Sequence, residues 1–276
     1  MTENKPEISK AMKDKLAPKK FIKSPIRGVK HTILVSSAKG GVGKSTFAIN
    51  IAFSLQNLGY KIGVLDADVY GPSLPKLINL NERPKNQDGK FLIPLEKYGA
   101  QCMSMGFLVE ETTPMIWRGP MVISAIKTMT EKVLWKDLDI IIIDMPPGTG
   151  DTQLTFAQQI KVDGSIIVST PQDLALLDVR RGIEMFNKTG VKIIGLVDNM
   201  SFFKGDDGKI YNIFGEGGVE KTAKDYKKDF LGKIPIHQDL RKASDAGNPL
   251  THSKPNHEVS LAFNEIAKKI KYFLSK

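Results

Sequence analysis

Residues 36–46 read SSAKGGVGKST and combine three glycines with two lysines and a Ser-Thr pair. An apolar run, 31–35, precedes this stretch, and an amphipathic run, 47–53, follows it. Glycines let consecutive backbone N–H groups turn toward one centre, and a helix that begins at the end of the loop adds its positive dipole. The pattern predicts a phosphate-binding loop in which Lys44 lies along the β- and γ-phosphates of a nucleotide and the Ser45 hydroxyl ligates Mg²⁺.

The whole loop is expected to surround the phosphates. Ala38 stands where the general Walker A pattern has its first glycine, so the turn at this position must accept a Cβ. The predicted nucleotide-binding residues are Ala38, Lys39, Gly40, Gly41, Val42, Gly43, Lys44, Ser45 and Thr46.

A second motif, LDADVYGPS, carries two acids at alternate positions at the end of the apolar run 61–66. Asp66 is predicted to reach the Mg²⁺ shell through water, and Asp68, in the following loop, to orient the attacking water. The alternative is that both residues cap turns, which is a common use of aspartate.

A third motif, DIIIIDMPPGTGD, places Asp144 at the end of an apolar strand and before a Gly/Pro loop. This is the Walker B arrangement, and it predicts that Asp144 joins the Mg²⁺ shell while residues 146–151 sense the γ-phosphate. Burial of an unpaired carboxylate is costly, so a metal-linked role explains an acid in this position.

Short apolar runs alternate with helical stretches along the chain, and this pattern predicts an α/β fold, a doubly wound and mostly parallel sheet flanked by helices. Ligands of such sheets bind at the carboxyl ends of the strands, where the three motifs fall. The predicted strands are 31–36, 61–66, 101–106, 139–144, 164–169, 192–198 and 230–233. The predicted helices are 44–58, 119–134, 152–160, 173–188, 217–227 and 257–274.

The net charge of +10 is concentrated at the two ends of the chain. Residues 1–30 carry nine Lys/Arg against three acids, and residues 220–276 carry twelve against seven. We interpret 1–30 as a basic flexible tail and 31–276 as one P-loop ATPase domain. No apolar run approaches the roughly 20 residues that span a bilayer, and no apolar segment follows the basic N-terminus, so we expect a cytoplasmic protein.

Cysteine and histidine offer little for a metal cluster. Cys102 is the single cysteine and lies in a predicted strand, where core packing is its expected role. The four histidines are not spaced like a ligand cluster, and we interpret them as surface or packing residues: His31, His237, His252 and His257. Asp206 and Asp207 could hold a cation, but the Gly-Asp-Asp-Gly string to which they belong is more often a turn.

The lysine before the glycine pair makes the loop similar to the deviant Walker A loop of the MinD, ParA, nitrogenase iron protein and Mrp/ApbC ATPases. Further motifs, in order and spacing, resemble the Mrp/ApbC family of iron-sulfur cluster carrier ATPases over roughly residues 28–275. They are DADVYGPSLP, WRGPM at 117–121, DMPPGTGD, the TPQ turn at 170–172, DNMS at 198–201 and IFGEGG at 213–218.

This resemblance implies a homodimer that binds Mg·ATP between its subunits, hydrolyses it slowly and passes a [4Fe-4S] cluster to apoproteins. Lys39 would then cross the dimer interface to the partner's phosphates and act in catalysis with Lys44 and Asp68. Asn199, at a strand end, would contact the adenine edge, with a turn-forming asparagine as the alternative.

Two departures from the family pattern matter. The family usually carries Cys-x-x-Cys shortly after the N-M-S-x-F string, whereas residues 203–209 contain no cysteine, so no Fe-S ligands are identifiable in this chain. Many members also have a small domain before the ATPase, where this chain has its basic tail. A cysteine-bearing partner or scaffold would supply both, and the chain would then be a cluster-free ATPase subunit of a carrier complex.

Two other classes of function stay open from the sequence. One is a positioning ATPase of the MinD/ParA kind that binds membrane or DNA, although nucleic acid and membrane are the less favoured partners. It is suggested by an apolar helix face, Val259, Phe263, Ile266, Ile270 and Phe273, beside Lys268, Lys269 and Lys271. The other is a regulatory module that holds nucleotide without turnover.

Overall fold

The computed structural model describes residues 23–108 and 119–276. Most of the predicted basic tail, and Trp117 and Arg118 of the WRGPM motif, lie outside the described residues. The strands are β1 (Val29–Ser36), β2 (Ile62–Asp66), β3 (Asn86–Gln87), β4 (Phe91–Leu92), β5 (Leu95–Lys97), β6 (Ala100–Ser104), β7 (Leu138–Asp144), β8 (Gly164–Ser169), β9 (Ile193–Lys204), β10 (Ile210–Tyr211) and β11 (Phe230–Ile236).

Helices alternate with these strands along the chain. They are α1 (Lys44–Asn57), α2 (Leu74–Leu77), α3 (Gly119–Glu131), α4 (Asp151–Gln159), α5 (Asp173–Thr189), α6 (Gly218–Asp225), α7 (Gln238–Asp245), α8 (Leu250–Ser253) and α9 (Glu258–Leu274), with a 3₁₀ turn at Met105–Phe107.

Nine strands form one sheet in the order β10-β9-β8-β1-β7-β2-β6-β5, and β11 pairs with β9. The pairs β1-β7, β1-β8, β2-β7, β2-β6, β8-β9 and β9-β11 are parallel, whereas β5 and β10 run antiparallel to their neighbours. The prediction of a doubly wound, mostly parallel sheet is confirmed. β1 lies between β7 and β8, where the strand order reverses and where such sheets bind ligands.

The central strands are buried on both faces because helices cover both sides of the sheet. All four isoleucines of 140–143 are fully buried in β7. On one face α1, whose residues 47–55 are all buried, packs against α9, and the rings of Phe47 and Phe263 lie 5.5 Å apart. The loop that follows β1 is therefore held between a buried strand and a buried helix.

The apolar face of the last helix packs inward. Val259, Phe263, Ile266 and Ile270 are buried in α9. This observation weighs against the membrane-binding interpretation, because four of the five apolar side chains that would enter a bilayer already belong to the core. Among the described residues, no helix combines the length and the apolar character needed to cross a membrane.

The structure also contains elements that the sequence pattern missed. The prediction ended the strand at 230–233 too early, because β11 runs to Ile236 and α7 follows it. The short strands β3, β4, β5 and β10 and the one-turn helices α2 and α8 were missed as well, since elements of two to four residues carry almost no periodicity.

The packed domain begins before the predicted boundary at residue 31. The Ser24 amide donates to the carbonyl of Gln159, Ile26 is buried, and β1 already starts at Val29. Residues 24–30 are therefore part of the domain, although the sequence interpretation assigned them to the tail.

Candidate functional site

The loop between β1 and α1 adopts a conformation that requires glycine at two positions. Gly41 and Gly43 have φ angles of 79° and 76° in the left-handed region. A Cβ on Gly43 would lie 2.5 Å from Nδ2 of Asn199, so the loop approaches β9 too closely for any side chain. The same Asn199 amide nitrogen donates to the carbonyl of Val42 at 2.7 Å. Asn199 thus clamps the loop from the neighbouring strand.

Lys44, the first residue of α1, is buried and forms an ion pair with a carboxylate from another strand. Its Nζ lies 2.5 Å from Oδ1 of Asp144, and only 6% of the lysine side chain is exposed. Nζ also lies 3.4 Å from the Ser45 hydroxyl. The structure therefore brings together three residues that the motifs predicted to meet, although 100 positions separate Lys44 from Asp144.

Asp66 ends β2 beside Asp144 and organises the loop that follows. One carboxylate oxygen accepts from the amides of Ser73 and Leu74 and from the Ser104 hydroxyl, and the other accepts from the amide of Asp68. Burial, and then the charge of Asp144, raise the pKa of Asp66 above its usual range. The turn-capping role that we held as an alternative is thus present, and it does not exclude a role toward a metal.

Asp68 lies in the loop after β2 and lines the cavity above the phosphate-binding loop. This cavity of about 260 Å³ is bounded by Ser37, Gly40, Gly41, Gly43, Lys44, Ser45, Thr46, Asp68, Ser73 and Pro147. Burial raises the pKa of Asp68, and the charge of Lys44 opposes that rise. One lysine thus faces three buried carboxylates.

The donor set around this cavity fits Mg²⁺. Carboxylate and hydroxyl oxygens are the hard ligands that this ion takes, and Asp66, Asp68, Asp144 and Ser45 supply them. A divalent cation nearby would offset the negative charge of two carboxylates that are buried side by side. Asp66, Asp144 and Ser45 are the residues that would hold the ion, directly or through water.

A larger cavity of about 650 Å³ adjoins the phosphate cavity on the side of β9. Gly43, Ser45, Thr46 and Asn199 belong to its wall, which continues the loop toward β11. Its size suits the base and ribose of a nucleotide. Asn199 stands at this cavity as predicted, and its contact with the adenine edge stays a prediction.

Sequence reasoning missed the far wall of this cavity. Pro235, Ile236 and His237 at the end of β11, and Leu240 and Arg241 on α7, line it. The signal was present in the string IPIHQD, since the residues after a parallel strand reach the same edge as the phosphate-binding loop. The strand predicted at 230–233 stopped three residues short of that edge.

Lys39 and Ala38 occupy the outer part of the loop. Lys39 is exposed, and its side chain forms no hydrogen bond or ion pair with the described part of the chain. Its carbonyl accepts from the Ser37 hydroxyl at 2.9 Å. Ala38 is half-buried, so its Cβ fits the turn as expected. The Lys39 ammonium is therefore available to a ligand or to a second subunit.

Residues 204–210, which follow the N-M-S-x-F string, form a hairpin tip that Asp207 closes through hydrogen bonds. Oδ1 of Asp207 accepts from the Lys209 amide, and its Oδ2 accepts from the Tyr211 hydroxyl, each at 3.0 Å. The amide of Gly205 donates to the carbonyl of Lys209 at 2.9 Å. The predicted turn is confirmed.

Cys102 lies in β6, is fully buried and belongs to the core. Burial raises the pKa of its thiol to about 12, so the thiolate that an iron-sulfur cluster needs is strongly disfavoured. The expectation that Cys102 packs in the core is confirmed.

Two histidines come together in space, which corrects the interpretation based on their spacing. His237 and His257 cap α7 and α9 through Nδ1, and their rings lie 4.8 Å apart. Nε2 of His237 lies 3.4 Å from Glu258, and Nε2 of His257 lies 3.5 Å from Asp239. Because each Nδ1 accepts from a backbone amide, the neutral rings carry their proton on Nε2, which leaves no lone pair there for a metal.

Comparison with known proteins places this geometry among nucleotide-binding proteins. Residues 28–271 match the ParA family described as NUBPL iron-transfer P-loop NTPases. A solved structure from Archaeoglobus fulgidus, described as a nucleotide-binding protein in complex with ADP and with Co, superposes with a TM-score of 0.72 at 38% identity. The match covers 80% of this chain and 88% of that one.

Two relatives by sequence extend over most of the chain. The Arabidopsis thaliana protein named "Iron-sulfur protein required for NADH dehydrogenase, mitochondrial" is 50% identical over 89% of this chain and 79% of its own length. The Mus musculus protein named "Iron-sulfur cluster transfer protein NUBPL" is 48% identical over 89% of this chain and 78% of its own length.

Proposed function

Because the chain belongs to the family of NUBPL iron-transfer P-loop NTPases, we propose that it binds and hydrolyses ATP to drive the transfer of iron-sulfur clusters to apoproteins. The observation that carries the ATPase part is the buried group of Lys44, Asp144, Asp66 and Asp68 around the phosphate cavity. The names of two relatives, an iron-sulfur protein and a cluster transfer protein, support the cargo.

Each charged residue of the site has a role in this proposal. Lys44 is placed to move from Asp144 to the β- and γ-phosphates once nucleotide enters, and the backbone amides of the loop hold the phosphate oxygens. Bound Mg²⁺ would neutralise phosphate charge beside Asp144, Asp66 and Ser45. Asp68 would orient the attacking water, since it lines the phosphate cavity from the loop after β2.

A nucleotide-sandwiched homodimer is part of the proposal. Lys39 is exposed and unpaired within the described part of the chain, as a residue that reaches a partner's phosphates must be. Lys39 would complete the site of the second subunit and act there with Lys44 and Asp68 of that subunit. Hydrolysis would then depend on protein concentration, because each site is incomplete in the monomer.

The proposal places the ligands of the transferred cluster on another protein. The chain has one cysteine, it is buried, and its thiol resists ionisation. The hairpin 204–210 closes through Asp207. We propose that a cysteine-bearing partner or scaffold supplies the thiolates of the [4Fe-4S] cargo while this chain supplies the nucleotide cycle.

Steady-state phosphate release with Mg·ATP tests the ATPase part. The wild type is expected to turn over slowly, the Asp68→Asn variant to bind ATP with turnover reduced by about 100-fold, and the Lys39→Ala variant to lose turnover and ATP-dependent dimerisation together. Sedimentation velocity with and without ATP measures the dimer. Tight ATP binding without turnover in the wild type would instead indicate a regulatory nucleotide-binding module.

Anaerobic reconstitution with iron and sulfide tests the cargo part, with Cys102→Ala as the matched variant. We expect no cluster on either protein alone, and ATP-dependent transfer when a cluster-loaded cysteine-bearing scaffold and an apoprotein are added. Stoichiometric cluster on the wild type that is lost in Cys102→Ala would show that the core thiol is a ligand and that the partner is not needed.

A positioning ATPase of the MinD/ParA kind is the second candidate, although the burial of the apolar face of α9 weighs against membrane binding. We retain the cytoplasm as the proposed location. A single, buried and unpaired cysteine suits a reducing compartment.

A further inference from the structure

The edge of the sheet opposite the nucleotide site carries a row of lysines. Five adjacent parallel strands each begin at or just after an exposed lysine: Lys192 precedes β9, Lys161 precedes β8, Lys30 is the second residue of β1, Lys136 precedes β7 and Lys61 precedes β2. We call these five residues the basic edge. They are distant in sequence, and only the parallel topology places them side by side.

The order of the strands makes the row continuous. The strands follow one another as β9-β8-β1-β7-β2 in the sheet, and neighbouring strands lie about 4.8 Å apart. Five charges at this spacing extend over about 20 Å. The row therefore has the length of several consecutive phosphates along a nucleic acid backbone.

Two of the acids at this edge, Asp139 and Asp163, are already hydrogen-bonded, whereas Asp137 beside Lys136 and Asp229 before β11 are exposed. Asp139 accepts from Lys30 Nζ at 2.7 Å and from the Lys61 amide at 2.9 Å. Asp163 accepts from the Thr32 amide at 2.8 Å. The side chains of Lys61, Lys136, Lys161 and Lys192 form no hydrogen bond or ion pair with the described part of the chain.

A basic cavity lies beside the row. It has a volume of about 340 Å³ and is lined by His31, Tyr60, Lys268, Lys271, Tyr272, Leu274 and Ser275. His31 belongs to β1 next to Lys30, so the cavity opens at the middle of the basic edge. Tyr272 is 64% exposed, and the Lys276 ammonium lies over one face of its ring, 4.3 Å from the centroid, so a base can stack only on the other face.

Residues 23 and 24, the first that the structure describes, lie near the same edge. The Lys23 ammonium donates to the carbonyl of Thr189 at the end of α5, and the Ser24 amide donates to Gln159 at the end of α4. Helices α4 and α5 end where β8 and β9 begin. Residues 1–22 of the sequence carry six lysines and three acids.

We propose that the basic edge and its adjacent cavity bind the phosphate backbone of a nucleic acid. The nucleotide site lies at the opposite ends of the same strands, so the two ligands do not compete. Lysines contact phosphates without reading base sequence, and binding should therefore be non-specific and strongly dependent on salt.

A nucleic acid fits this surface better than a membrane does. The basic edge consists of single charges spread over five neighbouring strands, and Tyr272 is the one exposed large apolar side chain of the described residues that lines its cavity. Binding to a lipid surface by a folded domain gains most of its free energy from apolar side chains that enter the acyl region. A set of ammonium groups on such an edge gains its free energy of binding from released counterions.

The test uses fluorescence anisotropy with a labelled DNA single strand and a labelled duplex, on the full chain, as salt rises from about 50 to about 200 mM. The edge variant carries Lys61→Gln, Lys136→Gln, Lys161→Gln and Lys192→Gln, and it keeps Lys30, whose loss would leave Asp139 unpaired. We expect affinity for the duplex to fall at least about 10-fold and the slope of log K against log salt to fall in magnitude by about 3 to 4. ATP turnover should stay within about two-fold of wild type.

The matched control has the same net charge and changes four exposed lysines away from the amino edge: Lys127→Gln, Lys204→Gln, Lys221→Gln and Lys242→Gln. Its affinity should stay within about two-fold of wild type. Equal losses in both variants would show that binding follows net charge alone, and an unchanged edge variant would exclude this surface. Wild-type binding to vesicles of phosphatidylglycerol but to neither oligonucleotide would identify a lipid surface instead. All three outcomes overturn the proposal.

A second measurement on the wild type does not depend on how well the edge variant folds. Amine-reactive labelling with and without the duplex, read by mass spectrometry, should show protection of Lys61, Lys136, Lys161 and Lys192. Lys127 and Lys221 should label equally in both samples. Equal labelling of both groups would contradict the proposal.

Discussion

The charged residues at the two edges of the sheet differ in burial and in spacing. At the carboxyl edge Lys44, Asp66, Asp68 and Asp144 are buried, close together and tied into hydrogen bonds. At the amino edge the lysines of the basic edge are exposed and about one strand spacing apart.

This difference sets the size and the kind of effect that each charge has. A buried charge interacts strongly with its neighbours because little water screens it, so its loss affects both chemistry and stability. An exposed charge is screened, and it acts only in concert with others on a large anionic ligand. Substitutions at the carboxyl edge should therefore have large single effects, and those at the amino edge small, cumulative ones.

The largest effect is expected for Lys44→Met. Loss of the lysine removes the main charge on the phosphates, so turnover should fall at least about 100-fold. It also leaves Asp144 buried and unpaired, which should lower the free energy of unfolding by about 3 kcal/mol. Phosphate release and urea unfolding measure the two losses. Adding Asp144→Asn should recover much of the stability and none of the turnover.

Lys39→Met is the control for this prediction, because Lys39 is a charge of the same loop that is exposed. Its free energy of unfolding should stay within about 0.5 kcal/mol of wild type. If Lys44→Met were as stable as Lys39→Met, the buried pair would contribute nothing, and the contrast between the two edges would lose its energetic basis.

A smaller effect is expected for Gly43→Ala. A Cβ there would lie 2.5 Å from Asn199 Nδ2, and the φ of 76° is strained for alanine. We expect about 1–3 kcal/mol of destabilisation and weaker ATP binding in calorimetry, because the loop must leave Asn199. Gly40→Ala is the matched variant, since no atom lies within 4 Å of its Cβ position. Equal ATP affinities for the two variants would rule out the Asn199 clamp.

Asp198 is a further buried charge, in β9. One of its carboxylate oxygens has no hydrogen-bond partner among the described residues. Burial raises its pKa to about 6, against the opposing charge of Lys233. The folded state therefore binds this proton more tightly than the unfolded state, and stability is lost as the pH rises through the interval between the two pKa values. From about pH 4 to about pH 7 the wild type should lose up to about 3 kcal/mol relative to Asp198→Asn in urea unfolding.

For the exposed acid Asp207, the pH dependence of stability should have the opposite sign when the wild type is compared with Asp207→Asn. The Lys209 amide and the Tyr211 hydroxyl hold the pKa of Asp207 below its usual value. The wild type should therefore gain stability relative to this variant as the pH rises above the lowered pKa. If the stability of the wild type relative to each variant changed in the same direction as the pH rises, burial would not be what raises the pKa of Asp198.

The smallest effect is expected for a single residue of the basic edge, Lys192→Gln. The Tm should stay within about 2 °C of wild type and ATP turnover should be unchanged, because no ion pair is lost. Thermal unfolding followed by circular dichroism measures the first quantity. A Tm loss as large as that of Gly43→Ala would mean that this lysine stabilises the fold, as a cation near helix C-termini can.

Much of the fold and of the phosphate site could be predicted from the sequence. The strand 164–169 was predicted with its observed bounds, and the helix 44–58 ends one residue later than α1. Long buried strands and their neighbouring helices carry strong periodicity, and glycine-rich loops need glycine at particular backbone angles. The family resemblance is confirmed by the match over residues 28–271.

Other features of the fold and of the site have no periodic pattern or motif in the sequence that would predict them. The end of β11 was missed because Gly232 and Pro235 weaken the strand pattern, and the far wall of the larger cavity was lost with it. His237 and His257 are separated by 20 positions and look unrelated in the sequence. Their meeting depends on how α7 and α9 begin side by side.

The sequence by itself determined the chemistry of the phosphate loop, because a contiguous string of glycines, lysine and hydroxyl residues folds into one loop whatever surrounds it. Only the tertiary structure decided which distant charges meet. It pairs Lys44 with Asp144, places Asn199 against the loop, and aligns five lysines at the other end of the same strands. The physical reason is that strand order and register, set by burial of both faces of the sheet, determine which strand ends become neighbours.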